Sequence, residues 1–368
     1  MIVKKVTLDF FRNYTHMTAN FDPGVNVIYG ENAQGKTNLL EAIAYLSAAR
    51  SHRARFDKEL LQFDIDNAFI KAEINTRNRD FTVEAKLARN AGKQFFVNGV
   101  KLKTTADLAG ILTTVLFCPE DLSLIQDGAS ARRHFLDDCL CQLRPTYASA
   151  MAEYKRCFEN KMRILKDMDK SPSFRYILDD FNFRMAQAGG VMIHYRSSFI
   201  KSLSEYAAQI HQDFSGGTET LTLGYETVST VTDPDAPIKT IFNQILDHQE
   251  KVKQAELDSH QCLSGPHKDD LIVEINGQSA RQYASQGQTR TAALSLKLGA
   301  REIFFRDLNE YPVLLLDDVL SELDAKRQDF VLQRIEGGQV FITCCENDKL
   351  EGLTSAATFK IHGGALIK

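Results

Sequence analysis

The stretch "VNVIYGENAQGKTNLLEAIAYL", residues 25 to 46, constrains the fold more than any other part of the chain. A compact β-branched run ends at Gly30, the eight residues from Gly30 to Thr37 match G-x-x-x-x-G-K-[ST], and apolar positions at helical spacing follow. Strand, glycine-rich loop and helix in that order form the context in which backbone N–H groups close around phosphates at a helix N-terminus. Gly30, Glu31, Asn32, Ala33, Gln34, Gly35, Lys36, Thr37 and Asn38 are therefore the candidate nucleotide-binding loop. Lys36 would reach the β- and γ-phosphates of ATP, and the Thr37 hydroxyl would take a Mg²⁺ position.

A second segment, "YPVLLLDDVLSELD" (311 to 324), sets four apolar residues before two acids. It reads as a buried parallel strand delivering carboxylates to its C-terminal end, where α/β sheets bind ligands. Asp317 would hold Mg²⁺ directly or through water, and Asp318 would orient or deprotonate an attacking water. Lys36, Asp317 and Asp318 are thus the candidate catalytic set, with Thr37 and Asp317 as candidate metal ligands. Third comes "YASQGQTR" (283 to 290), which opens a helix with apolar residues at Ala292, Leu294, Leu296, Leu298 and Ile303. Unpaired N–H groups and the Ser285 hydroxyl make an anion site there, although a serine cap on an amphipathic core helix reads equally well from this stretch alone.

With 368 residues the chain can form two compact units, or a head with a large insertion. A formal charge of −4 gives no electrostatic case for wholesale nucleic-acid binding, so any DNA contact must be local. Seven cysteines without a C-x-x-C pair suggest neither zinc nor disulfides, and no run has the length of a membrane span, so a cytoplasmic protein is expected. Alternating runs between Phe69 and Val100 read as an antiparallel meander with a "VNGV" turn. From about Ser130 to Phe214 the period is helical, broken at "SPS" (171 to 173) and stopped at "SGG" (215 to 217). The strand "TLTLGYE" and a helix near 236 to 258 complete the insertion, and "SGPHKDDLIVEING" resumes strand behaviour. This reading predicts a discontinuous ATP-binding lobe of 1–118 plus 262–368 and a helical lobe of 119–261, with 283–290 returning at their junction.

"FRNY" (11 to 14), "GENAQGKTNLLEAI", "FCPEDL", "RRHFLD", "GPHKDDL", "SQGQTR" and "LLLDDVLSELD" follow one another across residues 11 to 324. Together they resemble the ATP-binding-cassette heads of the SMC and RecF superfamily, and within it the RecF family of DNA replication and repair proteins. The resemblance implies an α/β fold: an ABC-type ATPase head with a P-loop, a mixed β core and an inserted, mainly helical lobe. It implies that Ser285, Gly287 and Gln288 bind ATP held by a second protomer, so that two chains close head-to-tail as an ATP-dependent homodimer. Arg12 and Asn13 would lie near the nucleotide and Asp324 at the dimer seam. The implied role is an ATP-switched clamp on DNA, single-stranded and double-stranded, at gaps and junctions. It would be a weak, DNA-stimulated ATPase helping RecR and RecO load the RecA recombinase.

Several positions depart from the general cassette pattern. Gln286 stands where transporters carry glycine, Asp318 where they carry glutamate, and Cys344 and Cys345 where a histidine is usual; Glu120 is the weak candidate for the Gln-loop. A carboxylate one carbon shorter reaches water less easily, so slow hydrolysis is expected at Asp318. Arg50, Arg53 and Arg55, the pair Arg132 and Arg133, and Lys155, Arg156, Lys161 and Arg163 are the candidate DNA contacts; each cluster reads equally as a solvated charged face, and "RRHFLD" also as a structural motif at the lobe junction. A transporter subunit is disfavoured by the long insertion, a coiled-coil SMC arm by the lack of sustained heptads, and a nuclease by the short stretch after Asp324.

Overall fold

A computed structural model describes residues 1–167, 174–335, 337–345 and 356–367. The chain divides into one unit of Met1–Ser123 with Leu296–Lys368 and a second of Leu124–Ser295. The α/β architecture with an inserted, mainly helical unit is as expected, but the second boundary is not. Residues 262–295, assigned from sequence to the ATP-binding lobe, fold in the second unit because their strand pairs there.

The first unit opens with strands β1 (Ile2–Phe11), β2 (Tyr14–Asn20) and β3 (Val25–Tyr29), then helix α1 (Lys36–Ala48). Strands β4 (Asn67–Asn75), β5 (Asp80–Ala88), β6 (Ala91–Val97), β7 (Val100–Lys101) and β8 (Thr114–Phe117) follow. The meander is present: an antiparallel sheet runs β2-β1-β4-β5-β6-β7. Every second residue of β4 and β5 is buried, so Ala68, Ile70, Ala72 and Ile74 share one face with Phe81, Val83, Ala85 and Leu87 on the neighbouring strand.

The second unit carries α2 (Ala129–Leu143), α3 (Pro145–Lys166), α4 (Phe174–Ser215), β9 (Leu221–Glu226), α5 (Ile238–Ser259), β10 (Asp270–Ile275), β11 (Gln278–Ser279) and the short α6 (Ala280–Tyr283). The expected break at 171 to 173 lies outside the described residues. α4 ends at Ser215, where the Gly-Gly stop was read. β10 runs antiparallel to β9 from Asp270↔Glu226 to Ile275↔Leu221, and this pairing draws the "GPHKDDLIVEING" segment into the helical unit. Helix α7 (Gln286–Leu308) begins in this unit and ends in the first.

The first unit then resumes with β12 (Val313–Asp317), α8 (Ala325–Arg334), β13 (Val340–Cys344), β14 (Ala357–His362) and β15 (Ala365–Ile367). Its second sheet runs β15-β14-β3-β13-β12-β8, parallel except for β15. β12 is buried throughout, as its unbroken apolar run requires. α1 is buried on nearly every side, since Leu39, Leu40, Ile43, Tyr45 and Leu46 belong to one core with residues of both sheets. The parallel strands aim their C-terminal ends at the start of α1, and the candidate site is there.

A buried histidine makes the second unit acid-sensitive. The Tyr154 hydroxyl lies 2.6 Å from His267 Nδ1, and His267 Nε2 lies 3.1 Å from the Cys262 carbonyl. A carbonyl only accepts, so Nε2 carries the proton and Nδ1 accepts from the tyrosine. Burial pushes the His267 pKa down to about 4 from 6.5. Between those values the unfolded chain binds more protons than the folded one, so this contribution is complete above pH 6.5 and is lost as pH falls through about 4, at most ~3 kcal/mol. Urea unfolding should show stability falling across that window, and His267→Phe should flatten the fall. An identical slope in the variant would remove His267 as its source.

Candidate nucleotide-binding site

Gly30 leaves β3 with φ 149°, and a Cβ there would stand 2.3 Å from the Ile361 carbonyl oxygen of neighbouring β14. Only glycine fits so close to that backbone. Glu31, Asn32 and Ala33 are exposed around the mouth of the loop, while Gly35 and Lys36 are buried beneath it. The Lys36 ammonium folds back onto the carbonyl oxygens of Gly30 (2.5 Å) and Glu31 (3.0 Å). It is a buried cation whose acceptors are neutral, an arrangement suited to exchange for phosphate oxygens. Cys345, just after β13, has its thiol 3.9 Å from Lys36 Nζ and 3.0 Å from Asn32 Oδ1.

Asp317, at the end of β12, accepts on one oxygen from both Thr37 (2.9 Å) and Thr343 (2.8 Å). A threonine hydroxyl and a carboxylate in contact at the start of a phosphate-loop helix are oxygen donors of the kind that Mg²⁺ takes. Burial raises the Asp317 pKa, and the bonds from Thr343 and Thr37 pull it back in part. Asp318 is half-buried, its backbone is left-handed (φ 51°), and its N–H donates to Thr343 Oγ1 at 2.8 Å. Thr343 was not singled out from the sequence; a threonine inside the apolar β13 run "VFITC" is the signal that could have found it.

Arg12 and Asn13 form the turn between β1 and β2; Asn13 braces the loop and Arg12 the helix that follows it. Asn13 Nδ2 donates to the Gln34 carbonyl (2.8 Å), Asn13 Oδ1 accepts from Asn38 (2.8 Å), and the Tyr14 hydroxyl donates to the Gly35 carbonyl (2.9 Å). The Arg12 guanidinium forks onto Glu41 at 2.9 and 2.8 Å and also donates to the Glu59 carbonyl. Burial would raise the Glu41 carboxyl, but bonds from Arg12 and Ser51 outweigh it and the pKa falls. A lone acid within "NLLEAIAYL" was the sequence sign of this buried pair. Gly364, in the turn between β14 and β15, donates its N–H to the Gln34 carbonyl (2.9 Å), and a Cβ there would stand 2.2 Å from the Asn13 carbonyl oxygen. Its φ of 73° adds a second reason for glycine.

The basic candidates separate. Arg53 and Arg55 are exposed and Arg50 half-buried; Arg53 Nη1 reaches Asn38 Oδ1 at 3.4 Å, beside the phosphate loop. Both ring nitrogens of His52 are enclosed without a hydrogen-bond partner, and burial lowers its pKa. Arg132, expected as a DNA contact, is instead an internal brace. Its side chain is 4% exposed, forks onto Asp270 at 2.8 Å and gives Nη1 to the carbonyls of Leu124, Ile125 and Asp127. Arg133 donates to the Asp269 carbonyl. Lys161, read as part of the further basic cluster, is buried against Glu256 at 2.6 Å. Arg196, unnoticed in the sequence, bonds Asp137, Asp269 and the Pro266 carbonyl, so "RRHFLD" and "GPHKDDL" are two halves of one polar network.

In the second unit Ser285 is exposed at the start of α7, where it caps the helix with Gln288. In the first unit Asp324 caps α8 by accepting from the Arg327 N–H at 2.9 Å. Glu120 is exposed, and it is Asp121 of "FCPEDL" that is engaged, by Lys297 at 2.7 Å.

The family model described as RecF/RecN/SMC N terminal domain matches residues 2–363. A DNA replication and repair protein RecF of Agathobacter rectalis is 39% identical over 350 residues, 95% of this chain and 93% of its own length. Its counterpart in Bacillus subtilis is 37% identical over 372 residues, with both chains fully covered. Among solved structures, a recombination mediator protein RecF described with ATPrS superposes with a TM-score of 0.91 at 34% identity, covering 99% of this chain and 97% of that one. The Smc head domain of Pyrococcus furiosus shares the fold, with a TM-score of 0.55 at 15% identity over 99% of this chain and 94% of that one.

Replacing Thr343 by valine strands the Asp318 N–H and removes a donor from Asp317. The expected cost is ~1–3 kcal/mol in chemical denaturation, with Thr343→Ser close to wild type. Equal stability of Thr343→Val and Thr343→Ser would show that the hydroxyl is not needed.

Proposed function

The chain belongs to the RecF family of DNA replication and repair proteins, and on that footing we propose that it is an ATP-dependent DNA-binding protein of recombinational repair and replication restart. The observation that carries the reading is the Asp317 oxygen shared by Thr37 and Thr343 beneath a complete phosphate loop. ATP fits the loop: the partners that Lys36 would give up are neutral, two carbonyl oxygens and the Cys345 thiol, and the glycine backbone leaves room for phosphates. Mg²⁺ would be held by Thr37 and Asp317 and would neutralise phosphate charge there. Asp318 would hold the attacking water and take its proton; its short side chain makes hydrolysis slow. The enzyme is a weak ABC-type ATPase that DNA stimulates.

Ser285, Gly287 and Gln288 would complete the ATP site of a second copy, so that two chains close head-to-tail on DNA and open after hydrolysis. Arg53 and Arg55, exposed, with Arg50 and Arg133, half-buried, would be phosphate contacts of the DNA, a sequence-independent and salt-sensitive mode. RecR and RecO would be its partners in loading RecA at single-strand gaps in the cytoplasm.

Sedimentation of wild type, Lys36→Ala, Ser285→Arg and their mixture, each with ATP, tests the reading. Wild type should dimerise and each variant alone should stay monomeric. The mixture should regain dimers with one complete site and about half the wild-type ATPase per dimer. A wild type that is monomeric at every ATP concentration removes the head-to-tail model.

A further inference from the structure

The first turn of α7 is tied into the interior of the second unit by a line of hydrogen bonds. The Gln288 N–H donates to Ser285 Oγ at 3.2 Å, and the Ser285 N–H donates to Gln288 Oε1 at 2.8 Å. This is a capping box with glutamine where glutamate is common. A neutral amide closes the box without setting a negative charge beside an anion site. An amide can, however, turn over, and its oxygen faces Ser285 only while something holds its nitrogen. Glu219 does so, accepting from Gln288 Nε2 at 2.8 Å.

Glu219 is held in turn. Its second oxygen accepts from His211 Nε2 at 3.0 Å, and His211, on α4, is completely buried. The other ring nitrogen lies 3.5 Å from Ser295 Oγ, on α7 itself. Burial lowers the His211 pKa against the opposing pull of Glu219, so the ring is neutral at pH 7 and its one proton is at Nε2, facing a carboxylate that can only accept.

We infer that Glu219 and His211 are positioning residues for Ser285: they fix the Gln288 amide so that the box uses the N–H groups of Ser285 and Gln288 and leaves the serine hydroxyl hydrogen for an anion. That this anion is the nucleotide of a second copy rests on the function proposed above. The positioning itself does not.

Two readouts on Glu219→Leu and Glu219→Gln test it. The first is hydrogen exchange of the Ser285 amide in the nucleotide-free chain. Leucine should speed it about tenfold, the equivalent of one lost hydrogen bond, whereas glutamine, which can still accept from Gln288 while its NH2 donates to His211 Nε2 once the ring proton moves to Nδ1, should leave it near wild type. The second is ATP titration: Glu219→Leu should need about tenfold more ATP for half-dimerisation while a fluorescent ATP analogue binds its monomer as in wild type, and Glu219→Gln should restore dimerisation. Unchanged Ser285 exchange in Glu219→Leu overturns the inference whether or not wild type dimerises. So does failure of Glu219→Gln to restore exchange protection, which would reduce Glu219 to a general support of the fold. A wild type that shows no ATP-dependent dimer removes the proposed function instead, and the exchange result still decides the positioning.

Discussion

One carboxylate oxygen joins three elements of the first unit. Asp317 Oδ1, at the end of β12, accepts from Thr37 in the first turn of α1 and from Thr343 near the end of β13. Because the acid is buried, each of these bonds offsets a desolvation cost that would otherwise raise its pKa further. The parallel registers of β12 with β13 and of β13 with β3 bring the groups together, pairing Asp317 with Thr343 and Cys344 with Tyr29, the residue before the loop. The phosphate loop is held from its other side by Asn13, Tyr14 and Gly364, all through its backbone. A loop fixed in this way needs little ordering when a phosphate arrives.

The second unit is organised by buried charge. Arg196 is 2% exposed and meets Asp137 and Asp269, while Arg132 meets Asp270. Such pairs add little net stability relative to apolar packing, but removing one member strands the other, so the sequence around them is tightly constrained. "RRHFLD" and "GPHKDDL" thus have a structural role, in which Arg132 is closed in by Asp270 and backbone carbonyls. The same logic on a smaller scale links His211, Glu219 and Gln288 to Ser285.

Much of the site was legible before the fold. The phosphate loop, Asp317 and the helix start at Ser285 announce themselves because their chemistry needs fixed residue types at fixed local spacing. Residues that act across the chain were not. Glu41, Thr343, Gly364 and Glu219 each look ordinary in their own segment, and their partners lie far away in sequence. Arg132 is a case of the same kind: a pair of arginines on a helix reads as a DNA contact or a solvated face until an aspartate 138 residues away closes on one of them. The boundary at 262 failed because strand alternation in "LIVEI" says that a strand forms, not which strand it pairs with.

By itself, then, the sequence determined the local grammar: a strand running into a glycine loop and helix, an apolar strand ending in two acids, alternating runs for one sheet and helical period for the insertion. These follow from backbone sterics and from the period of apolar residues, which are local properties. Only the tertiary structure decided that β10 belongs with β9, that Arg132 is a brace, and that one oxygen of Asp317 serves two threonines. Those outcomes depend on strand registry and on the desolvation of particular charges, and both are set by contacts between residues that no local pattern connects.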